Sequence, residues 1–188
     1  LEPTSVHVYH RKAQLLLQQG KLDEARREIE KGQAYQPLDV SLRYLKSEIA
    51  WQAGDREAAI EILEELVELD PTQRDAWHSL AALGAAVGRP DAALQGARDL
   101  ARRRDEVFAH ALVAELARDT GEALAAVGRA LELEPRSTAL HVLKAGLLGA
   151  DPVAAEEACR PPIFGADRPT ELVGAEADMR YRRGDRQR

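Results

Sequence analysis

Few side chains in this sequence are able to do chemistry, and their spacing narrows the options further. Five histidines are present: His7, His10, His78, His110 and His141. His7 and His10 stand three residues apart, near enough on one helix to meet a metal ion as a pair. A metal centre needs three or four converging ligands with a satisfied outer layer, and no third ligand accompanies this pair, so no metal is expected. The single cysteine, Cys159, excludes an internal disulfide and a cysteine-rich zinc site. Near the end of a short helical stretch it reads as a small buried hydrophobe rather than a nucleophile. No serine sits in a nucleophile elbow and no glycine-rich loop is placed to cradle a phosphate. Neither enzyme activity nor a cofactor is expected. Arg102-Arg103-Arg104 closes a helical stretch, where cations meet the helix dipole favourably; a patch for phosphate or an acidic partner is the alternative. What remains is recognition chemistry. Tyr44 and Trp51 are seven apart, so a helix puts them on one face.

Composition limits what can position such residues. The 188 residues are 45% hydrophobic, enough for a core and too many for a disordered chain. No apolar run approaches the ~20 residues that span a bilayer, so direct membrane insertion is not expected. Net charge is −6, which argues against the basic stripe of a nucleic-acid binder. Alanine contributes 33 residues, favouring closely packed helices over sheets. Acidic runs such as Glu61-Ile62-Leu63-Glu64-Glu65-Leu66 follow helical spacing and read as solvated faces. A soluble chain of cytoplasm or periplasm fits these features.

The elements repeat. Gly20, Gly54 and Gly88 are spaced by 34 and 34, as are Ala25, Ala59 and Ala93, and Asp23, Glu57 and Asp91. Pro37 and Pro71 share that spacing, and small or apolar residues recur at Ala13, Ser47 and Ala81 and at Ile29, Leu63 and Ala97. Such self-similarity marks a helical-repeat chain. Each unit reads as a helical hairpin: 6–19 and 22–34, 41–53 and 56–69, 74–87 and 90–103. Tyr9, Ala13 and Leu16 lie on one stripe of the first helix. Gly20 is placed to take the left-handed conformation that ends a helix, and Pro90 falls in a first turn, where proline is tolerated. The pairs Ala13 and Ala25, Ser47 and Ala59, and Ala81 and Ala93 supply the close helix crossings. A larger residue there would cost roughly 1–3 kcal/mol in overpacking. No hairpin buries both faces alone, so neighbours must stack.

These residues resemble the tetratricopeptide repeat family. The resemblance rests on Tyr9, Ala13, Leu16, Gly20, Ala25, Ile29 and Pro37 in the first unit and on Ser47, Gly54, Ala59, Leu63, Leu66 and Pro71 in the second. In the third it rests on Trp77, Leu80, Ala81, Gly84, Gly88, Ala93, Ala97 and Leu100. Two departures stand out: Arg43 takes the place of Tyr9 and Trp77, and Asp105 that of the closing proline. The resemblance implies an all-α fold, a right-handed superhelical solenoid of stacked antiparallel helix-turn-helix repeats.

Downstream the repeat shortens. Residues 107–118 and 121–133 form a fourth unit, with about three residues lost from its turn; 138–148 and 152–160 form a fifth, with Asp151 as N-cap and Pro152 at the first helical position. Pro161-Pro162-Ile163-Phe164-Gly165-Ala166 reads as a loop, and 170–183 as one more first helix. Its end, Gly184-Asp185-Arg186, matches Gly54-Asp55-Arg56. The whole chain 1–188 is expected to be one array, with repeats at about 6–39, 40–73, 74–105, 106–137 and 138–168 and a half repeat at 169–188. A first residue Leu1, and a length of about five and a half periods, suggest an excised piece of a longer protein. Its Ala/Leu/Arg-rich composition looks bacterial. The other reading is a native end, capped by the polar Arg180-Tyr181-Arg182-Arg183.

The family's groove columns, carried onto this sequence, imply a concave partner-binding face. They select His7, His10, Arg11, Gln14 and Gln18 in the first helix, Tyr44, Leu45, Glu48, Trp51 and Gln52 in the second hairpin, and Asp75, His78, Ser79 and Ala82 in the third. His10, Arg11, Gln14, Tyr44, Glu48, Trp51 and His78 are the strongest candidates, because exposed aromatics beside hydrogen-bonding groups suit a peptide. The alternative for Trp51 is a core position against the neighbouring hairpin. One subclass grips a C-terminal carboxylate with Lys, Arg and Asn; Leu45 and Asp75 in the matching columns cannot donate to one. The expected function is a scaffold for a protein or peptide partner. The alternative is a structural spacer of a larger bacterial envelope or polysaccharide-export protein. RNA reading by related hairpins is disfavoured by the 34-residue period and acidic balance. Unpaired array ends are also expected to self-associate end to end.

Overall fold

Each of the first three hairpins turns on a glycine, and the backbone there explains why. In the computed structural model, which describes residues 5–183, Gly20, Gly54 and Gly88 have φ of 72°, 87° and 82°. The Gly N–H and the one after it fold back onto the helix: Gly20 to the Leu17 carbonyl and Lys21 to Leu16, Gly54 to Trp51 and Asp55 to Ala50, Gly88 to Ala85 and Arg89 to Gly84. This is the Schellman closure, which satisfies the last helical carbonyls and requires the left-handed residue.

The described residues form eleven α-helices and no strand, the expected all-α helical-repeat fold. They are α1 (Val6–Gln18), α2 (Leu22–Tyr35), α3 (Val40–Gln52), α4 (Arg56–Leu69), α5 (Arg74–Ala86), α6 (Ala92–Arg103), α7 (Val107–Leu116), α8 (Thr120–Leu133), α9 (Thr138–Leu147), α10 (Pro152–Ala158) and α11 (Thr170–Arg183). The expected loop contains a single 3-10 turn, Pro162–Phe164. No helix of the described residues is long and apolar enough to cross a membrane. The chain divides into two compact units, Leu1–Ala93 and Leu94–Arg188.

In the first unit, α1 packs on α2 and α3, α3 on α4, and α4 on α5. Ile29, Leu42, Ile49, Ile60, Leu63 and Leu66 are fully buried, and burial of such a side chain contributes about 1.5–3 kcal/mol. Ala13, Ala25, Ser47 and Ala59 are buried as close crossings require, whereas Ala81 is only half-buried opposite the buried Ala93. The buried Ser47 hydroxyl is satisfied by the Tyr44 carbonyl at 2.6 Å. Gly32 supplies a further close approach: a Cβ there would stand 2.7 Å from Leu42 Cδ1 and 3.1 Å from Tyr9 Cβ. Glu28 is buried between Lys12 and Lys31. Burial alone would push its carboxyl up, but hydrogen bonds from the two lysines outweigh it and hold it below its ordinary value. Leu16 of the expected stripe packs half-buried against this core, and Leu17 beside it is buried outright. One expectation needs correction. Pro90 lies two residues before α6, because the Gly88 turn closes through Arg89 and the Arg89 carbonyl then receives the Ala92 N–H.

The second unit is built differently. α7 is 10 residues long where α1, α3 and α5 are each 13. The residues lost from the fourth repeat therefore come from its first helix; the connection, residues 117–119, is as long as those in the first two hairpins. Ala117 is extended (φ −66°, ψ 135°), so the turn needs no left-handed residue, and Asp119 caps α8 by accepting the Glu122 N–H. Asp151 caps α10 as expected, accepting from Val153 and Ala154. The core of this unit holds nine alanines beside Leu94, Leu100, Leu112, Val113, Val127, Leu140, Cys159 and Leu172. Buried Glu176 on α11 is paired with Arg160, Arg168 and Arg180, and Glu156 with Arg160 and Arg180. Hydrogen bonds from Arg160 and then Arg168 hold the Glu176 carboxyl at about 2 against its burial. Cys159 is fully buried beside this cluster, and burial pushes its thiol up, in keeping with an inert packing role. Arg102 pairs with Asp99 and Arg103 donates to the Asp99 carbonyl, the helix-end role expected of the arginine run. The Gly184-Asp185-Arg186 match lies outside the described residues.

Candidate functional site

A recurring contact orients the first helices. Trp77 Nε1–H donates to the Pro71 carbonyl at 2.8 Å, His141 Nε2 to the Pro135 carbonyl at 2.9 Å, and Arg43 Nη2 to the Pro37 carbonyl at 3.4 Å. In each case the donor lies six residues after the proline, on the first helix of the next hairpin. Arg43, a departure from the repeat pattern, thus keeps the function of Trp77. At Asp105, the other departure, the carboxylate itself is the anchor. It accepts from His110 at 2.7 Å and pairs with Arg129, and Arg129 followed by His110 holds its carboxyl down at about 2.

Between α3 and α5, within the first unit, these anchored helices leave a groove of about 300 Å³. Tyr44, Ser47, Glu48, Trp51 and Gln52 line one side and Ser79, Ala82 and Leu83 the other. Tyr44 and Ser79 join hydroxyls across it at 2.8 Å. Trp51 is half-buried and belongs to the groove wall; the Arg56 guanidinium, which does not line the groove, lies 5.4 Å from its ring centroid. Glu48 receives no hydrogen bond or ion pair from the described residues. Glu48 is exposed, and its partial desolvation on the groove wall pushes its carboxyl above the ordinary value.

Of the seven expected contact residues, the groove brings together Tyr44, Glu48 and Trp51. His10 and Gln14 are half-buried on α1, Arg11 is exposed and bonded to Gln14 at 3.1 Å, and His78 is exposed on α5; none of the four lines this groove. Leu45, which the family columns place on the groove, is 2% exposed and belongs to the core with Leu42 and Ile49. Its position one residue round the helix from Tyr44 turns it inward. Ser47 and Leu83 are lining residues that the columns omit. Helical spacing carries the missing signal, since Ser47 is four before Trp51 and Leu83 four after Ser79. Among the described residues, no three His, Cys, Asp or Glu side chains converge as a metal site would require.

Comparison with known proteins agrees with the helical-repeat fold. The sequence profile of the tetratricopeptide repeat matches residues 10–74 and 50–106, together just over half of the chain. The fold is similar to that of a tetratricopeptide repeat protein from Parabacteroides merdae ATCC 43184, with a TM-score of 0.55 and 14% identity over 98% of this chain and 74% of that one. It is also similar to pilF of Pseudomonas aeruginosa, with a TM-score of 0.52 and 12% identity over 96% and 85%. At such identities the likeness concerns the fold alone. No curated protein matches the sequence.

Proposed function

The chain belongs to the tetratricopeptide repeat family, and on that premise we propose that it is a protein-interaction scaffold that holds a peptide or protein partner on the concave surface formed by its first helices. The observation that carries this reading is the groove between α3 and α5, with Tyr44, Glu48 and Trp51 on its wall. Its function is presentation rather than chemistry. The Tyr44 hydroxyl is tied to Ser79 and the Trp51 ring is held by Arg56, so both aromatics are ordered before a partner arrives. Binding then avoids roughly 0.5–1.5 kcal/mol of ordering cost per side chain. Aromatic residues in such a setting are the usual centres of binding energy. His10, Arg11, Gln14 and His78 are proposed as flanking contacts along the same surface.

The test compares partner capture by the parent chain with capture by a Tyr44→Ala/Trp51→Ala variant, after circular dichroism has established equal helicity and melting. Capture by the parent and loss by the variant supports the groove as the functional surface. Equal capture by both refutes it.

A further inference from the structure

Glu48 differs from the paired acids of its unit. Glu64 reaches Arg89, Glu65 reaches Arg43, and Glu28 is closed by Lys12 and Lys31. Glu48 has no such partner among the described residues, and its surroundings offer none. One turn away on α3 stand Tyr44, Leu45, Trp51 and Gln52, all neutral; across the groove stand Ser79, Ala82 and Leu83, neutral again. A carboxylate on such a wall loses water when anything fills the groove, and an apolar occupant would leave it desolvated and unpaired, a costly state. A cationic occupant would pair with it. The adjoining aromatics favour the same choice, because a cation near an indole or phenol ring is attracted by its π face, as the Arg56 contact on Trp51 already illustrates.

We propose that the partner inserts a lysine or arginine side chain into the α3–α5 groove, where its cation pairs with the Glu48 carboxylate between Tyr44 and Trp51. The inference rests on the groove reading above and adds the chemistry of the occupant. A volume of about 300 Å³ gives room for one long side chain, so a single basic residue within a peptide dominates selectivity.

The probe is an immobilised library of acetylated nonapeptides in which each position is fixed in turn as Lys, Arg, Ala, Leu or Glu. Parent, Glu48→Gln, Glu48→Lys, Trp51→Ala and Glu61→Gln chains are each applied to it. The parent is expected to favour Lys or Arg over Ala at one position by about tenfold, the size of a good charge-assisted contact. Glu48→Gln should lose that preference, Glu48→Lys should favour Glu instead, and Glu61→Gln, altered at an exposed acid outside the groove, should keep it. A parent that favours Leu, or a preference that survives Glu48→Gln, overturns the cation inference; the groove reading then stands if Trp51→Ala abolishes binding. A preference lost equally in Glu61→Gln is a net-charge effect and also overturns the inference. Binding unchanged in Trp51→Ala, or no peptide bound by the parent, overturns both.

Discussion

In Leu1–Ala93 the first helices are all 13 residues long, each ends on a glycine at positive φ, and the core is rich in isoleucine and leucine. In Leu94–Arg188, α7 and α9 are 10 residues each, and their hairpins turn without a left-handed residue. Alanine supplies about half of the buried residues there, and Arg98–Glu122, Arg129–Asp105 and the Glu156/Glu176 cluster tie the helices together. The comparison teaches that one hairpin plan tolerates two sources of cohesion. Where the backbone sets the turn and the helices keep full length, large side chains interlock. Where smaller side chains make up more of the core, ion pairs between α6 and α8 and between α10 and α11 add to it, as Arg43–Glu65 and Arg89–Glu64 do in the first unit.

The contrast can be broken most severely in the aliphatic half. Leu63→Ala is expected to cost about 2–5 kcal/mol, because its side chain is fully buried and leaves a cavity; chemical denaturation followed by hydrogen exchange should show the loss in residues 5–93. Glu176→Gln attacks the other half. The expected loss is about 2 kcal/mol, below the figure for a fully buried pair because Arg160 and Arg180 are 46% and 43% exposed. It also carries a pH signature. The Glu176 carboxyl is depressed in the folded state, so its contribution is full above pH about 4.5 and fades as pH falls towards about 2. Melting temperatures across that window should fall in the parent and fall less in the variant. A parallel decline in both would assign acid sensitivity elsewhere.

Glycine sharpens the comparison by changing sign between the halves. Gly54→Ala must place a side chain at φ 87° and should cost about 1 kcal/mol. Gly128→Ala, inside α8 with open space around it, should stabilise by about 0.5–1 kcal/mol. Equal signs for the two in urea denaturation would refute the assignment of the first as a turn residue and the second as a replaceable helical one. The smallest effect is expected for Arg102→Ala, within about 0.5 kcal/mol, since its pair with Asp99 is mostly exposed.

Most of the hairpin plan was legible, because a left-handed turn every 34 residues demands glycine and leaves an unmistakable register at Gly20, Gly54 and Gly88. α4 and α11 run over the expected residues. Pro90 misled because a proline suits both a first helical turn and the loop before it, and only the closure through Arg89 distinguishes them. Three missing residues in the fourth repeat were countable, but helix and turn lose length alike in a sequence. The site was legible on one helix and opaque across two. Tyr44 and Trp51 follow from spacing of seven, whereas the Tyr44–Ser79 bond joins residues 35 apart and depends on how α3 and α5 pack. Leu45 shows the limit of a column: adjacent positions on α3 face the groove and the core. Gly32 left no periodic trace, since its small size serves one contact with Leu42 and Tyr9.

The bonds from Trp77, His141 and Arg43 to the carbonyls of Pro71, Pro135 and Pro37 have a consequence for building repeats of this kind. An indole, an imidazole and a guanidinium each deliver one N–H to the same address there, the guanidinium over the longest distance, 3.4 Å. A designer varying that column can add nitrogen donors of sufficient reach to the phenol that Tyr9 supplies there. Scoring by side-chain similarity would rank these three as mismatches, whereas scoring by what they donate ranks them as synonyms.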